Sequence, residues 1–430
     1  MFKSLSALAG TFLLCAGAQA QTIKRVSVSI TGVQGNDHSY AAGWHPSGCC
    51  VVFYTQATNL FSPPDSNKAT YVAMVNVTTG AVKDLSRGIA TGLTGATTFT
   101  NLLCETRPKF SADGSKLAFY AQAANGLVKN DTSKFLEVFV KTIATGNVIV
   151  LTSPGGLNSN DQTYSPLMSP DGSTAGFSSY ATNLLGSTPY RAPALILANT
   201  TTGALSLASV NASGVSEDGG AGTPAFSPDG KMIGWGTNSS NIVPVPVGST
   251  NVFVKVLATG APTLVSATQA GAPSDGLSTH PEVSHSGRYV VFQSNAAAFG
   301  GNGIIQQVFI KDLQTGALTL ASTDATGQPG TANSTHGQWS PDDTRLLMES
   351  AAPNMVPGVQ SGSTEIVIKD LTTGTVTLVS KDTNGLPAVG NSNHPQWSPS
   401  GKMVSFASTA QTLVAGDTNR KADVFVATLP

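Results

Sequence analysis

Three of the six histidines stand in one recurring context. His280, His336 and His394 occur as S-T-H-P, S-T-H-G and S-N-H-P, separated by 56 and 58 residues. Three imidazoles delivered by one motif are a donor set for Zn, Mn, Ni or Fe that leaves a coordination position open. Arg107 holds the equivalent place in an earlier copy, with Ser165 and Thr223 in the copies between, and Ala41 in the first, where His38 lies three residues ahead. The candidate ligand-binding set is therefore His280, His336, His394, Arg107 and His38, and the first three are the candidate ligands of a divalent metal ion. The repeat also offers a plainer account. Duplication copies residues whether or not they do chemistry, so each imidazole can simply bond a backbone carbonyl of the neighbouring loop. His45 and His285 fall in a different turn and read as turn residues.

Other chemistry has thinner support. No G-x-S-x-G precedes a helical segment, as a hydrolase nucleophile would need. Glu105, Glu217, Asp218 and Asp275 lie in the same set of loops as the histidines and are the available acids or bases. The loops at Asp65-Ser66-Asn67, Asp131-Thr132-Ser133 and Asp417-Thr418-Asn419 have calcium-like spacing. Counting from Asp417, however, the Gly and Glu that such a loop needs are replaced by Ala422 and Thr428, so Asx-turns are the expectation. Cys49 and Cys50 are adjacent, and Cys104 belongs to a loop at the opposite face. A 49–50 bridge or free thiols is expected.

The elements that position these residues repeat along the chain. A turn signal recurs as HPSG (45–48), SADG (111–114), SPDG (169–172), SPDG (227–230), SHSG (284–287), SPDD (340–343) and SPSG (398–401), with successive last positions 66, 58, 58, 57, 56 and 58 apart. Pro fixes φ at the second turn position, Asp or Ser bonds locally, and Gly accepts positive φ, which closes a β-hairpin. Phe53, Phe119, Phe177, Trp235, Phe292, Met348 and Phe406 each lie five residues past the turn, where they should pack between units. An apolar strand such as EVFVKTI (137–143) or NVFVKVL (251–257) leads to a Thr-Gly turn, and a short last strand follows. Four strands per unit and seven units predict an all-β, seven-bladed propeller.

The seventh unit reaches Pro430 after its third strand. Ser27 precedes Gly48 by 21 residues, as Ser209, Ser266, Ser322 and Ser380 precede their own turns. Residues 22–29 are therefore expected to complete the last blade, which removes the free edges of an open array. One connection is seven residues longer than the others, and the insertion at 87–107 is a candidate lid or a tolerated surface loop. Residues 1–20 have Lys3, an apolar run and Ala18-Gln19-Ala20, the pattern of a secretory signal peptide. Residues 21–430 are then expected to be one propeller domain. Charged residues are 11% of the 430 and the net charge is −1. That argues against nucleic acid and anionic membrane surfaces. No segment is long and apolar enough to predict a membrane span.

The units, of the form P-x-[FW]-S-P-D-G followed by an apolar strand ending in Phe, resemble the WD40-like PD40 repeats of TolB-type propellers. Residues 409–419 and Asp423-Val424-Phe425-Val426 are similar to repeats of exported bacterial proteins that read S-x-A-x-N-L-V-P-G-D-T-N-G-x-x-D-V-F-V. This resemblance implies an exported, periplasmic or secreted monomer that binds a partner protein or glycan at the channel mouth or a loop face. Some propeller lyases acting on oligogalacturonate are similar in having histidine-bound metal at such a place. A metal-assisted polysaccharide lyase or hydrolase is thus one alternative, and a structural envelope or matrix component is another.

Overall fold

The computed structural model describes residues 21–430 except 62–69, 87–106, 122–134, 153–158, 187–189, 191–192, 246–247 and 361. Seven four-stranded antiparallel sheets form the blades of a propeller. Their first strands are Ser39–Trp44, Lys109–Phe110, Thr163–Met168, Ala221–Phe226, Ser278–Val283, Ser334–Trp339 and Ser392–Trp397, in blades 1 to 7. In blade 7 the fourth strand is Thr22–Arg25, paired antiparallel with Asp423–Thr428 so that Arg25 faces Phe425. The N-terminal segment closes the ring as its serine spacing requires.

Strand alternation fixes what each end of the ring carries. The hairpin turns between first and second strands lie at one end, with the Thr-Gly turns. The loops between second and third strands, and the connections between blades, lie at the other. His45, His285 and the Cys49–Cys50 disulfide are at the hairpin-turn end. The seven side chains placed five residues past each turn are all buried, Phe292 being the most accessible at 1%. Burying an aromatic of that size contributes about 1.5–3 kcal/mol, so these residues hold neighbouring blades together.

Two polar devices recur between and within blades. The serine that ends a fourth strand donates to a buried acceptor at the start of the third: Ser266 Oγ to Asn251 Oδ1 (2.8 Å), Ser380 to Glu365, Ser322 to Gln307 and Ser27 to Asp423. The same hydroxyls accept from the following backbone N–H, as Ser266 does from Val252 (2.9 Å). Blade 3 has Ala194 in the acceptor's place. There the carboxyl of Glu217 comes in from the next connection, beside Ser209 and Thr237. Between blades, the lysine near the end of a third strand bonds carbonyls of the preceding blade: Lys141 Nζ to Leu85 O (2.8 Å), Lys255 to Ala208 O (3.2 Å), Lys311 to Ala267 O (2.8 Å) and Lys369 to Thr323 O (3.0 Å).

Candidate functional site

The first strands line the central channel, and six of them carry a β-bulge at their third residue. The register shifts between Tyr40 and Gly43, Tyr164 and Leu167, Gly222 and Ala225, Thr279 and Glu282, Thr335 and Gln338, and Asn393 and Gln396. At each bulge one residue adopts left-handed φ: Ala41, Ser165, Thr223, His280, His336 and His394, all between 47° and 55°. Histidine tolerates this region better than most side chains, and the bulge turns the strand into the channel wall. The three histidines are therefore equivalent because they occupy the left-handed bulge position.

Their backbone N–H groups, freed from the ladder, bond to side chains of the preceding blade. His280 N–H donates to Thr223 Oγ1 (3.1 Å), His336 N–H to Gln293 Oε1 (3.0 Å) and His394 N–H to Glu349 Oε1 (2.7 Å). Glu349 also faces the His336 ring, with Oε2 3.2 Å from Nδ1. Burial opposes its ionisation, but His336 and the bonds from the histidines outweigh that and hold its carboxyl at about 2. Gln293 and Glu349 were not singled out in the sequence. Both are the fifth residue of a second strand, which the topology places behind the bulge of the next blade.

The imidazoles stand in a row, with ring centroids 4.8 Å apart for His280 and His336 and 5.9 Å for His336 and His394. His280 and His336 line the channel, and His394 is buried behind it. Among the described residues no group of three or more His, Cys, Asp or Glu is placed to hold a metal ion.

Arg107 comes from blade 2 and reaches past blade 1, where Ala41-Ala42-Gly43 leaves room. Its Nη1 donates to Pro395 O of blade 7 (3.0 Å) and to the Gln396 side chain. A Cβ on Gly43 would lie 2.9 Å from Pro108 O, so this small residue permits the approach. Burial lowers the guanidinium's pKa, against the attraction of Glu282 and Glu349. His38 stands apart from the channel. Its Nδ1 accepts from Ala422 N–H (2.9 Å) at the seam between blades 1 and 7, and burial followed by the charge of Lys421 lowers its pKa.

The remaining candidates have local roles. Asp218 accepts from the Ser239 and Ser240 hydroxyls (2.6 and 2.7 Å) and Asp275 from Ala298 N–H (3.0 Å). The expected Asx-turn of this loop is made by Asn419, whose Oδ1 accepts from Lys421 N–H (2.8 Å), whereas Asp417 accepts from Gln34 (2.8 Å) and pairs with Arg25 (3.5 Å). Glu105, Cys104, the loops at 65–67 and 131–133, residues 1–20 and all but Arg107 of the 87–107 insertion lie outside the described residues.

The channel encloses about 610 Å³ between the bulges and the hairpin turns. Two residues beyond the bulge position, or beyond the equivalent Arg107 in blade 2, every blade adds one residue to its wall. Four are charged or amide (Lys109, Glu282, Gln338, Gln396) and three are small or apolar (Gly43, Leu167, Ala225). Trp339 N–H donates to Glu282 Oε1 (3.0 Å), and the Trp339 indole to Glu282 O (3.2 Å). Burial raises the Glu282 pKa against the pull of that bond, Lys109 and Arg107. Burial, then the charge of Arg107, pulls Lys109 down to about 8, with Glu282 opposing. None of these ring residues was a candidate in the sequence, because each copy of the repeat places a different chemical type there.

Fold and site together define a seven-bladed β-propeller with an ionisable channel. No family model and no curated protein matches the sequence. Solved structures similar to it include an oligogalacturonate lyase from Vibrio parahaemolyticus, at 11% identity, with a TM-score of 0.53 over 95% of this chain and 93% of that one. A prolyl endopeptidase aligns at 13% identity with a TM-score of 0.54, over 94% of this chain and 51% of that one. TolB from Acinetobacter baumannii aligns at 15% identity with a TM-score of 0.44, over 84% and 76%. At these identities the likeness establishes the propeller fold alone. No helix among the described residues is long and apolar enough to cross a membrane.

Proposed function

We propose that this chain is an exported binding module that docks a partner protein on the face formed by its inter-blade connections. One observation carries the reading. Of the nine large hydrophobic side chains that are exposed among the described residues, eight (Ile30, Val33, Tyr180, Val215, Leu277, Ile304, Leu386 and Val389) lie in connections or second-to-third-strand loops, and Val256 alone of them is at the opposite end. Scattered exposed apolar residues are ordinary, but their concentration on one face marks an interaction surface. Ile30, Val33, Leu386 and Val389 come from adjacent connections of blades 6, 7 and 1, with Leu386 61% exposed. Export follows from the signal-like residues 1–20. The test is affinity capture from an envelope extract by the wild type and by a Val33→Asp/Leu386→Asp variant. A partner retained by the first and lost by the second supports the docking face. Identical captured sets would overturn it.

A second reading, metal-assisted chemistry on an acidic polysaccharide, rests on the His280–His336–His394 row beside Arg107. Metal content of protein purified without an affinity tag decides it. Stoichiometric metal that is lost in His336→Ala supports this reading, and its absence in both proteins sinks it.

A further inference from the structure

The channel ring described above holds two opposite charges that do not meet. Lys109 comes from blade 2 and Glu282 from blade 5, at the same level of the wall. Each acts on the other's ionisation, yet they form no ion pair within 4.0 Å, and the Lys109 ammonium makes no hydrogen bond with any described residue. Glu282 is held in place by Trp339 N–H on one oxygen. Beside it, Gln338 is only 6% exposed, and its amide oxygen accepts no donor among the described residues. Buried polar groups such as the Gln338 amide are normally satisfied, and separated charges that are half withdrawn from water cost free energy that a bridging partner returns. Leu167 and Ala225 complete the wall between blades 2 and 5 with apolar surface.

We propose that the channel binds a small zwitterion, an α-amino acid or short peptide, with its carboxylate on Lys109, its ammonium on Glu282 and the Gln338 amide oxygen, and its side chain against Leu167 and Ala225. A simple anion fits less well. Arg107 is already committed to Pro395 and Gln396, and the charges at this level, Lys109 and Arg107 against Glu282 and Glu349, balance two to two, so the channel carries no excess of positive charge for an anion. This site is separate from the docking face and stands or falls without it.

Titration calorimetry at neutral pH on the purified chain tests the assignment, with leucine, alanyl-leucine, the deaminated analogue isocaproate and the decarboxylated analogue isoamylamine. The expected result is binding of leucine or the dipeptide at least about tenfold tighter than of either analogue, a difference of about 1.4 kcal/mol. Lys109→Met and Glu282→Gln should each abolish that preference while keeping the circular dichroism and the melting transition of a folded propeller. Should either variant fail to fold, the wild-type series alone decides. Isocaproate binding as tightly as leucine, or no heat from any of the four compounds with folded wild type, overturns the proposal.

Discussion

At the scale of single residues, the buried carboxyls behave in two opposite ways. Glu349 faces the His336 ring and accepts from His394 N–H, and its pKa is held at about 2. A depressed acid contributes stability in full above its unfolded value near 4.5, and loses it as pH falls toward 2. Replacing Glu349 by Ala leaves His394 N–H and the His336 ring without their acceptor. It should cost about 3 kcal/mol, read as a lower urea midpoint at neutral pH, with the gap to wild type narrowing in acid. Glu217 and Glu365 go the other way, because burial raises each to about 8. Folding binds their protons between about 4.5 and 8, so both lower stability as pH rises through that window. Glu365→Gln should match wild type near pH 4.5 and exceed it above pH 8, as thermal melts across pH will show. Equal slopes for the two proteins would contradict the buried, protonated state.

At the scale of elements, the left-handed bulge is the device that makes the channel. It bends each inner strand, releases an N–H to the neighbouring blade and presents the next residues to the lumen. Pro follows the bulge residue in four blades and the equivalent Arg107 in blade 2, but blade 6 has Gly337, where a Cβ would come 2.7 Å from Val308 Cγ1 and 2.8 Å from Val291 Cγ2. Gly337→Ala should therefore cost about 1–3 kcal/mol by overpacking, whereas Ala42→Gly, at the same place in blade 1, should cost less. Lys369 ties the third strand of blade 6 to three carbonyls, Thr323 O, Asp324 O and Gly374 O, at 2.8–3.0 Å. Lys369→Met keeps the stem and removes all three donors, so a drop of about 1–3 kcal/mol is expected, measured by chemical denaturation. The sequence showed the hairpin turns and the large packing residues because Pro, Gly and aromatics carry strong local preferences. It did not show the bulge, because His, Ser, Thr and Ala all occupy it, nor Glu349 and Gln293, whose importance comes from the blade behind them. The histidine equivalence was legible; the bond from each histidine's backbone N–H to a side chain of the preceding blade was not.

At the scale of the whole molecule, ring closure is a single seam. The edge of Asp423–Thr428 is covered by Thr22–Arg25, with Val26 N–H reaching Val424 O (2.8 Å) and Ser27 bonded to Asp423. Removing residues 21–29 exposes that edge and takes the Ser27 hydroxyl and the Arg25 charge from Asp423. The shortened chain should elute as aggregate or oligomer in size-exclusion chromatography. Joining the same segment after Pro430 through a short linker should restore the monomeric peak, since Thr22 lies opposite Thr428. Recovery only on mixing with wild type would point instead to exchange between chains. Blade number and closure were readable because seven turn signals and a serine spacing repeat over the whole chain. The channel chemistry was not, because Lys109 and Glu282 are brought to one level by a circle that no local pattern describes.

That seam also sets an order of events. Arg25 and Phe425 are 400 residues apart, whereas the partners of a hairpin are separated by about ten. Closing the larger loop costs about 3 kcal/mol more in chain entropy, and the pairing is available only after the final strand has emerged. The first strand to be synthesised is the last to find its place. Until then blade 7 has three strands and an open edge. The slowest step of folding is expected at this contact, and the earliest hydrogen exchange in the native ring at residues 22–27 and 423–428.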